Sequence, residues 1–128
     1  MKQDLSLTIA SLLSILFMSL HFADDVVRGY EPGTMSTMIG VLILVVWLYG
    51  TVALAGRRSG YVIVLLASIL GSGVPAIHMR GAGLGGKVAL SSGAFLFIWT
   101  LIALGVTSIY SVIRSARGLW RLRSGPAR

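Results

Sequence analysis

The chain has 128 residues, of which 55% are hydrophobic and 12% charged, with a formal net charge of +7 at pH 7. Soluble domains carry about 25% charged residues, so this composition excludes an ordinary water-soluble enzyme and indicates one membrane domain over residues 1–128. Cysteine is absent, which excludes disulfides, thiolate metal sites and thiol redox chemistry.

Four segments contain no Asp, Glu, Lys or Arg. They run from Leu5 to Ala23, from Gly33 to Gly56, from Ser59 to Met79 and from Val88 to Ile113. Each is long enough to cross a hydrocarbon core about 30 Å thick, which takes roughly 20 residues. Extended to the nearest caps and breakers, they predict helices over 5–28, 35–55, 61–79 and 88–113. The predicted fold is an all-α integral membrane protein, a bundle of four transmembrane helices with short loops.

Small residues and a proline interrupt the third predicted helix. Gly71, Gly73 and Pro75 fall in its second half, and proline both removes a backbone donor and clashes with the preceding turn. Backbone groups freed inside a membrane need partners from neighbouring helices or water. This stretch therefore predicts a kink or early unwinding that faces the bundle.

Residues 114–128 predict a basic amphipathic tail after the fourth helix. Arg114, Arg117 and Arg121 share one helical face by their spacing, while Trp120 and Leu122 provide apolar anchors. A segment of this kind binds along an anionic membrane surface. Glycines 40, 50 and 105 are further predicted to support close helix contacts between protomers.

Arginine positions predict the orientation, because cytoplasmic loops carry an excess of Lys and Arg. The second loop contains Arg57 and Arg58 and the tail contains five more arginines, whereas residues 24–31 are net acidic. Both termini are therefore predicted in the cytoplasm of a bacterium, with the chain as a multi-pass protein of its cytoplasmic (inner) membrane. The positive charge reflects topology and affinity for anionic lipid, so nucleic acid is not a predicted partner.

The most informative polar feature follows the first apolar run. His21, Asp24, Asp25 and Arg28 stand at i, i+3, i+4 and i+7 and so share one face of a continuing helix. This spacing predicts that His21 meets Asp25 and that Asp24 meets Arg28. An imidazole beside a carboxylate forms a general base with its orienting group, so these four are the candidate catalytic residues.

A second polar group falls at the same predicted end of the bundle. His78 and Arg80, with Lys87 in the next loop, are the candidate binding residues. Three chemistries stay open. His21, Asp25 and His78 suit a divalent metal such as zinc or iron, a His–Asp pair with an arginine suits acid/base chemistry on an anionic headgroup, and two histidines suit a haem. The structural alternative is a set of ion pairs that fixes the helix ends.

A glycine-rich stretch, residues 81–87, ends in Lys87 and matches G-x-x-x-x-G-K. Val88 stands where a nucleotide-binding loop requires Ser or Thr, and no strand precedes the stretch, so nucleotide binding is not predicted. A linker is the expected role, with Lys87 and the first amides of the fourth helix as an anion contact.

No Asp, Glu, Lys, Arg or His lies near the middle of a predicted span, which disfavours proton-coupled transport. The leading expectation is a binding or accessory membrane protein whose extracytoplasmic polar site takes a lipid headgroup, a small anion or a partner subunit. The alternative is a membrane enzyme acting on a lipophilic substrate at the outer leaflet, and a haem-binding redox subunit comes third. Expected partners are membrane lipids and either a second copy of the chain or another membrane subunit.

Overall fold

A computed structural model describes residues 4–30, 33–80 and 92–124, without the side chains of Met79 and Arg80. Four helices account for nearly all of them: α1 (Leu5–Val27), α2 (Thr34–Val52), α3 (Arg58–Arg80) and α4 (Ala94–Ser124). Each is long and apolar enough to cross a membrane. The prediction of an all-α chain with four candidate membrane-spanning helices is therefore confirmed.

The ends of α1 follow the expected capping chemistry. Asp4 is the N-cap residue, and its carboxylate accepts a hydrogen bond of 3.2 Å from the amide of Leu7, as N-cap acids commonly do. At the other end Gly29 has φ +73°, a conformation in which glycine avoids the steric cost that other residues incur. The first helix thus ends one residue before the predicted boundary.

The turn between α2 and α3 is placed differently from the prediction. The helix α2 ends at Val52 and not near residue 55, and α3 already begins at Arg58. The amides of Ala53 and Leu54 both bond to the carbonyl of Tyr49, which closes the helix although the apolar run continues. Gly56, at φ +76°, then turns the chain into α3.

Pro75 lies inside α3, which remains helical from Arg58 to Arg80. Of the predicted kink or early unwinding, the unwinding is therefore wrong, and the kink stays a prediction. A side chain on Gly105 of α4 would come within 3.2 Å of the Pro75 ring, so the missing side chain there makes room for the proline. Only one backbone donor is lost at a proline, and a packed neighbouring helix is able to support that turn.

The helix α4 begins at Ala94, after a turn at residues 92–93, and not at residue 88 as predicted. It is nevertheless longer than predicted and contains most of the predicted tail. It has 31 residues, from Ala94 to Ser124, and is therefore about 46 Å long. Ser115 and Gly118 are buried beyond the predicted end at Ile113, and Gly118 packs against the ring of Tyr61. The predicted end of the helix at residue 113 is therefore wrong, and the basic segment from residue 114 continues α4 as far as Ser124, because loss of apolar sequence marks the end of a span and not the end of a helix.

The bundle buries small hydroxyl residues and exposes large apolar ones. The helices α2 and α4 each pack against both α1 and α3, whereas α1 and α3 make little direct contact. Such an interior suits a membrane, where close packing and hydrogen bonds between helices replace the hydrophobic driving force. The buried hydroxyl residues are Ser11, Ser14, Thr51, Ser68, Thr100, Ser108, Ser111 and Ser115.

Several glycines that were predicted to face another protomer contact side chains of their own chain instead. A Cβ on Gly40 would meet the ring of Phe22, and one on Gly50 would meet Ile63. The glycines of α3 differ from each other, since a Cβ on Gly71 would lie 2.7 Å from Ser108 Oγ whereas nothing lies within 4 Å of one on Gly73. The packing of these glycines therefore gives no support to an interface between protomers.

Candidate functional site

The helical continuation of α1 past its apolar run brings His21 and Asp25 together. The two residues are one turn apart, and His21 Nε2 lies 3.5 Å from Asp25 Oδ2. Both are buried, with His21 only 2% exposed. The predicted contact between these residues is therefore present, at the end of α1 where the capping turn begins.

His78 of α3 completes a three-residue cluster with this pair. Its Nε2 atom lies 3.3 Å from His21 Nε2 and 3.7 Å from Asp25 Oδ2. The three residues, which we call the histidine cluster, thus bring one possible ligand atom each to within 3.7 Å of the others. They include both histidines of the chain and join α1 to α3, two helices with little other direct contact.

Phe97 of α4 lies against both imidazole rings. Its ring centroid is 4.9 Å from that of His21 and 5.6 Å from that of His78, and its side chain is fully buried. Sequence reasoning missed this residue, because nothing in the pattern separates it from Phe95, which is 80% exposed. The cluster therefore has an aromatic wall on one side, while the His78 side chain, 26% exposed, gives it an opening.

The pair of Asp24 and Arg28 forms beside the histidine cluster and not within it. Arg28 Nε donates a hydrogen bond of 2.7 Å to Asp24 Oδ2, as the spacing predicted. This bond raises the pKa of the Arg28 guanidinium, which lies 5.8 Å from the centroid of Phe97. Arg28 therefore remains a fixed cation at the edge of the site.

Two predicted binding residues stay untested by the geometry. The side chain of Arg80 and the whole of Lys87 lie outside the described residues. His78 is thus the one predicted binding residue that is seen at the site. The anion contact predicted for Lys87 remains a prediction.

The histidine cluster suits either a hydrogen bond between its two imidazoles or a shared metal ion. At 3.3 Å, one neutral ring donates its Nε2–H to the other, or both rings donate their Nε2 lone pairs to a metal. The carboxylate of Asp25 beside them favours a positive ion at this point. His21 Nδ1 is buried without a hydrogen-bond partner among the described residues, so the usual outer support of a ligating histidine is not provided there.

A haem does not fit this arrangement. The two Nε2 atoms are 3.3 Å apart and in direct contact, so no space remains between them for a porphyrin. Phe97, which touches both rings, would also have to be displaced. Of the two cofactors predicted from the sequence, the divalent metal is the one that these residues fit.

A second ionic site, which sequence reasoning missed, lies at the opposite end of the bundle. One terminal nitrogen of Arg114 donates to both carboxylate oxygens of Asp4, at 2.7 and 2.8 Å. The position of Asp4 before an apolar run indicates a helix cap, but no sequence signal connects it with an arginine 110 residues later. This bond joins the start of α1 to α4.

Comparison of the chain with protein-family models, with curated proteins and with solved structures finds no match.

Proposed function

We propose that the protein is a multi-pass membrane protein that binds one divalent transition-metal ion at the histidine cluster. The observation that carries the proposal is the triangle formed by the Nε2 atoms of His21 and His78 and Oδ2 of Asp25, with sides of 3.3, 3.5 and 3.7 Å. The point equidistant from these three atoms lies about 2.0 Å from each, which is the bond length of zinc to histidine. The three donor atoms are therefore already spaced as the ligands of a bound zinc ion would be.

The donor set favours some metals over others. Two imidazole nitrogens and one carboxylate oxygen suit zinc, cobalt or ferrous iron, whereas magnesium and calcium prefer oxygen ligands alone. The residues belong to three turns of two helices and are the only group of this kind among the described residues. The sequence-based expectation of a binding protein is retained, with a metal as the ligand in place of a headgroup or anion.

The support for a bound anion is weaker. The side chains expected to bind it are arginines and a lysine, and none of them is available at the site among the described residues. Arg28 bonds to Asp24, while Arg80 and Lys87 contribute no described side chain. A lipid headgroup, a small anion and a partner subunit therefore remain predictions from the sequence. For a metal, in contrast, the structure describes all three proposed ligands, His21, Asp25 and His78.

Metal titration of the purified protein tests the proposal. The protein should be prepared through a tag without histidine, stripped with a chelator and titrated with Zn²⁺ by calorimetry and with Co²⁺ by visible absorption. We expect one ion per chain in the wild type. The variant His78→Ala should lose this ion, and because His78 is partly exposed it should still fold.

The control variant is Asp24→Asn, which removes a neighbouring carboxylate that bonds to Arg28. It should bind the ion as the wild type does. Failure of the wild type to bind Zn²⁺ or Co²⁺ would overturn the proposal. Equal loss of metal binding in His78→Ala and Asp24→Asn would indicate a general effect on the protein and would also overturn the proposal.

We further propose that the histidine cluster faces the outside of a bacterial cytoplasmic membrane and that both termini are cytoplasmic. The support is the concentration of arginines at the other end of the bundle, as the positive-inside rule requires. The chain has no cysteine, so Thr34→Cys and Ser124→Cys are ready probes. An impermeant maleimide should label the first in intact cells and the second only after lysis, and the reverse pattern would refute this orientation.

A metal-dependent membrane enzyme is the second candidate function. The observation that favours it is the number of protein ligands, because three ligands with an open fourth position are typical of catalytic zinc sites. Small anions such as azide occupy an open position directly. Adding azide to the Co²⁺ form should therefore change its visible spectrum, whereas an unchanged spectrum would indicate a closed, structural site.

A further inference from the structure

An apolar groove runs between α1 and α4 on the outer surface of the bundle. Its volume is about 370 Å³, within the range of roughly 300–1,000 Å³ that small-ligand sites have. It is open along the surface, which in a membrane faces lipid. Its lining residues are Ser6, Ile9, Ala10, Leu13, Val106, Thr107 and Tyr110.

A row of arginines continues the α4 wall of this groove. Arg114, Arg117 and Arg121 follow Tyr110 at i+4, i+7 and i+11 and so stand on the same face of the helix. Since α4 remains helical as far as Ser124, this register is kept along the whole row. The groove and the arginines therefore form one continuous stripe, apolar in its first part and cationic in its second.

The three arginines have different roles in this stripe. Arg114 is occupied by Asp4, whereas Arg117 and Arg121 are exposed and form no salt bridge among the described residues. Guanidinium groups bind phosphate in a two-pronged geometry. Arg117 and Arg121 thus stand in line with the groove with no carboxylate in salt-bridge distance among the described residues.

The spacing along the helix suits a phospholipid. Arg114 and Arg121 lie about 6 and 17 Å beyond Tyr110 along the axis. The headgroup layer is roughly 5–8 Å thick on each side of the hydrocarbon. With Ala94, the first residue of α4, at the far edge of a hydrocarbon core about 30 Å thick, Tyr110 lies about 6 Å inside the near edge. Arg117 and Arg121 then lie about 5 and 10 Å beyond that edge, where their side chains reach the lipid phosphates.

We propose that the groove between α1 and α4, together with Arg117 and Arg121, is a binding site for one anionic phospholipid. One acyl chain lies between the helices against Leu13 and Val106, and the phosphate bonds to the two guanidinium groups. The site is at the opposite end of the bundle from the histidine cluster. It does not depend on metal binding.

Binding of acyl-labelled fluorescent phosphatidylglycerol and phosphatidylcholine to the purified protein in a nonionic detergent tests this site. Two favourable cationic contacts predict a preference of about tenfold or more for phosphatidylglycerol. The double variant Arg117→Gln/Arg121→Gln should reduce the preference to within about twofold. The matched control Arg57→Gln/Arg58→Gln removes the same charge at the same end of the bundle, away from the groove. It should keep the preference for phosphatidylglycerol.

A second pair of variants tests the groove without changing charge. Ser6→Leu adds an apolar side chain to the groove at an exposed position and should weaken binding of both lipids about equally. Ser59→Leu places the same side chain at an exposed position of α3 and should have no effect. The proposal is overturned if the wild type shows no preference, if the Arg57/Arg58 control loses it equally, or if Ser6→Leu binds like the wild type.

Discussion

The two ends of the bundle hold α1 to a later helix by different means. At one end Arg114 bonds to both oxygens of Asp4, so an acid of α1 has a permanent cation from α4. At the other end the carboxylate of Asp25 faces two imidazoles, groups that carry a positive charge only when protonated. The first contact contains its own cation, whereas the second would gain one by binding the proposed metal ion.

The two contacts differ in how far a bound ligand would change them. Burial raises the pKa of the Asp4 carboxyl, but the hydrogen bonds from Arg114 and from the Leu7 amide and the charges of Arg114 and Arg121 outweigh it, so the pKa is lower than its ordinary value. The Asp4–Arg114 bond is therefore constant at neutral pH. The histidine cluster, in contrast, would connect its two helices through the proposed metal ion.

The largest effect should come from removing the one carboxylate of the histidine cluster. Asp25→Asn leaves two neutral imidazoles, and we expect it to weaken Zn²⁺ binding by more than the roughly 100-fold that loss of a supporting group costs. The measurement is a competition titration against a chelator of known affinity. Asp24→Asn is the matched variant and should change the affinity less than about threefold.

If Asp25→Asn bound Zn²⁺ as tightly as the wild type, the carboxylate would have no ligand role. The proposed contrast between a permanent cation at one end, Arg114, and a bound metal ion at the other would then be wrong.

A smaller effect is expected from the packing that connects the two ends. A methyl group on Gly71 would lie 2.7 Å from Ser108 Oγ and 3.0 Å from the ring of Trp47, so Gly71→Ala should lower the free energy of unfolding by about 1–3 kcal/mol. Gly73→Ala adds the same group to open space and should be neutral or stabilise the helix by up to about 1 kcal/mol. Unfolding of both variants by denaturant in mixed micelles measures the difference.

Equal stability of the two glycine variants would mean that α3 and α4 do not pack closely at this level. The two ends would then be independent contacts and not parts of one packed bundle.

The smallest effect is expected from acid at the Asp4–Arg114 bond. Because the folded protein lowers the pKa of Asp4 below 3.8, ionised Asp4 stabilises the fold above about pH 4, and this contribution is lost as the pH falls through the lowered pKa. The melting temperature of the wild type should therefore drop more between pH 7 and pH 3 than that of Asp4→Asn. Identical drops in the two proteins would show that the bond contributes nothing.

The sequence predicts part of this architecture well, because apolar runs report directly on membrane spans and a helix fixes which residues share a face. The contact between His21 and Asp25 follows from a spacing of four residues. The approach of His78 follows from two helices that finish at the same end of the bundle. These inferences need only the geometry of one helix and the fact that successive spans run in opposite directions, so that the first and third end on the same side.

The remaining features depend on packing that no local pattern encodes. Phe97 and Phe95 are both apolar residues at the start of α4, and only the rotation of that helix places one in the site and the other outside. The pairing of Asp4 with Arg114 requires knowing which helices are neighbours. The continuation of the helix to Ser124 is not evident from the sequence, because the apolar run ends before it. The charged segment stays helical and packs on Tyr61 through Gly118.

The separation of the site residues along the chain also affects how the protein is made. His21 and His78 are 57 residues apart and belong to the first and second helical hairpins, which emerge from the ribosome one after the other. A nascent chain that has inserted only α1 and α2 therefore contains two of the three proposed ligands. Under the proposed function, the complete ligand set would form only when both hairpins have assembled, so bound metal would report that assembly.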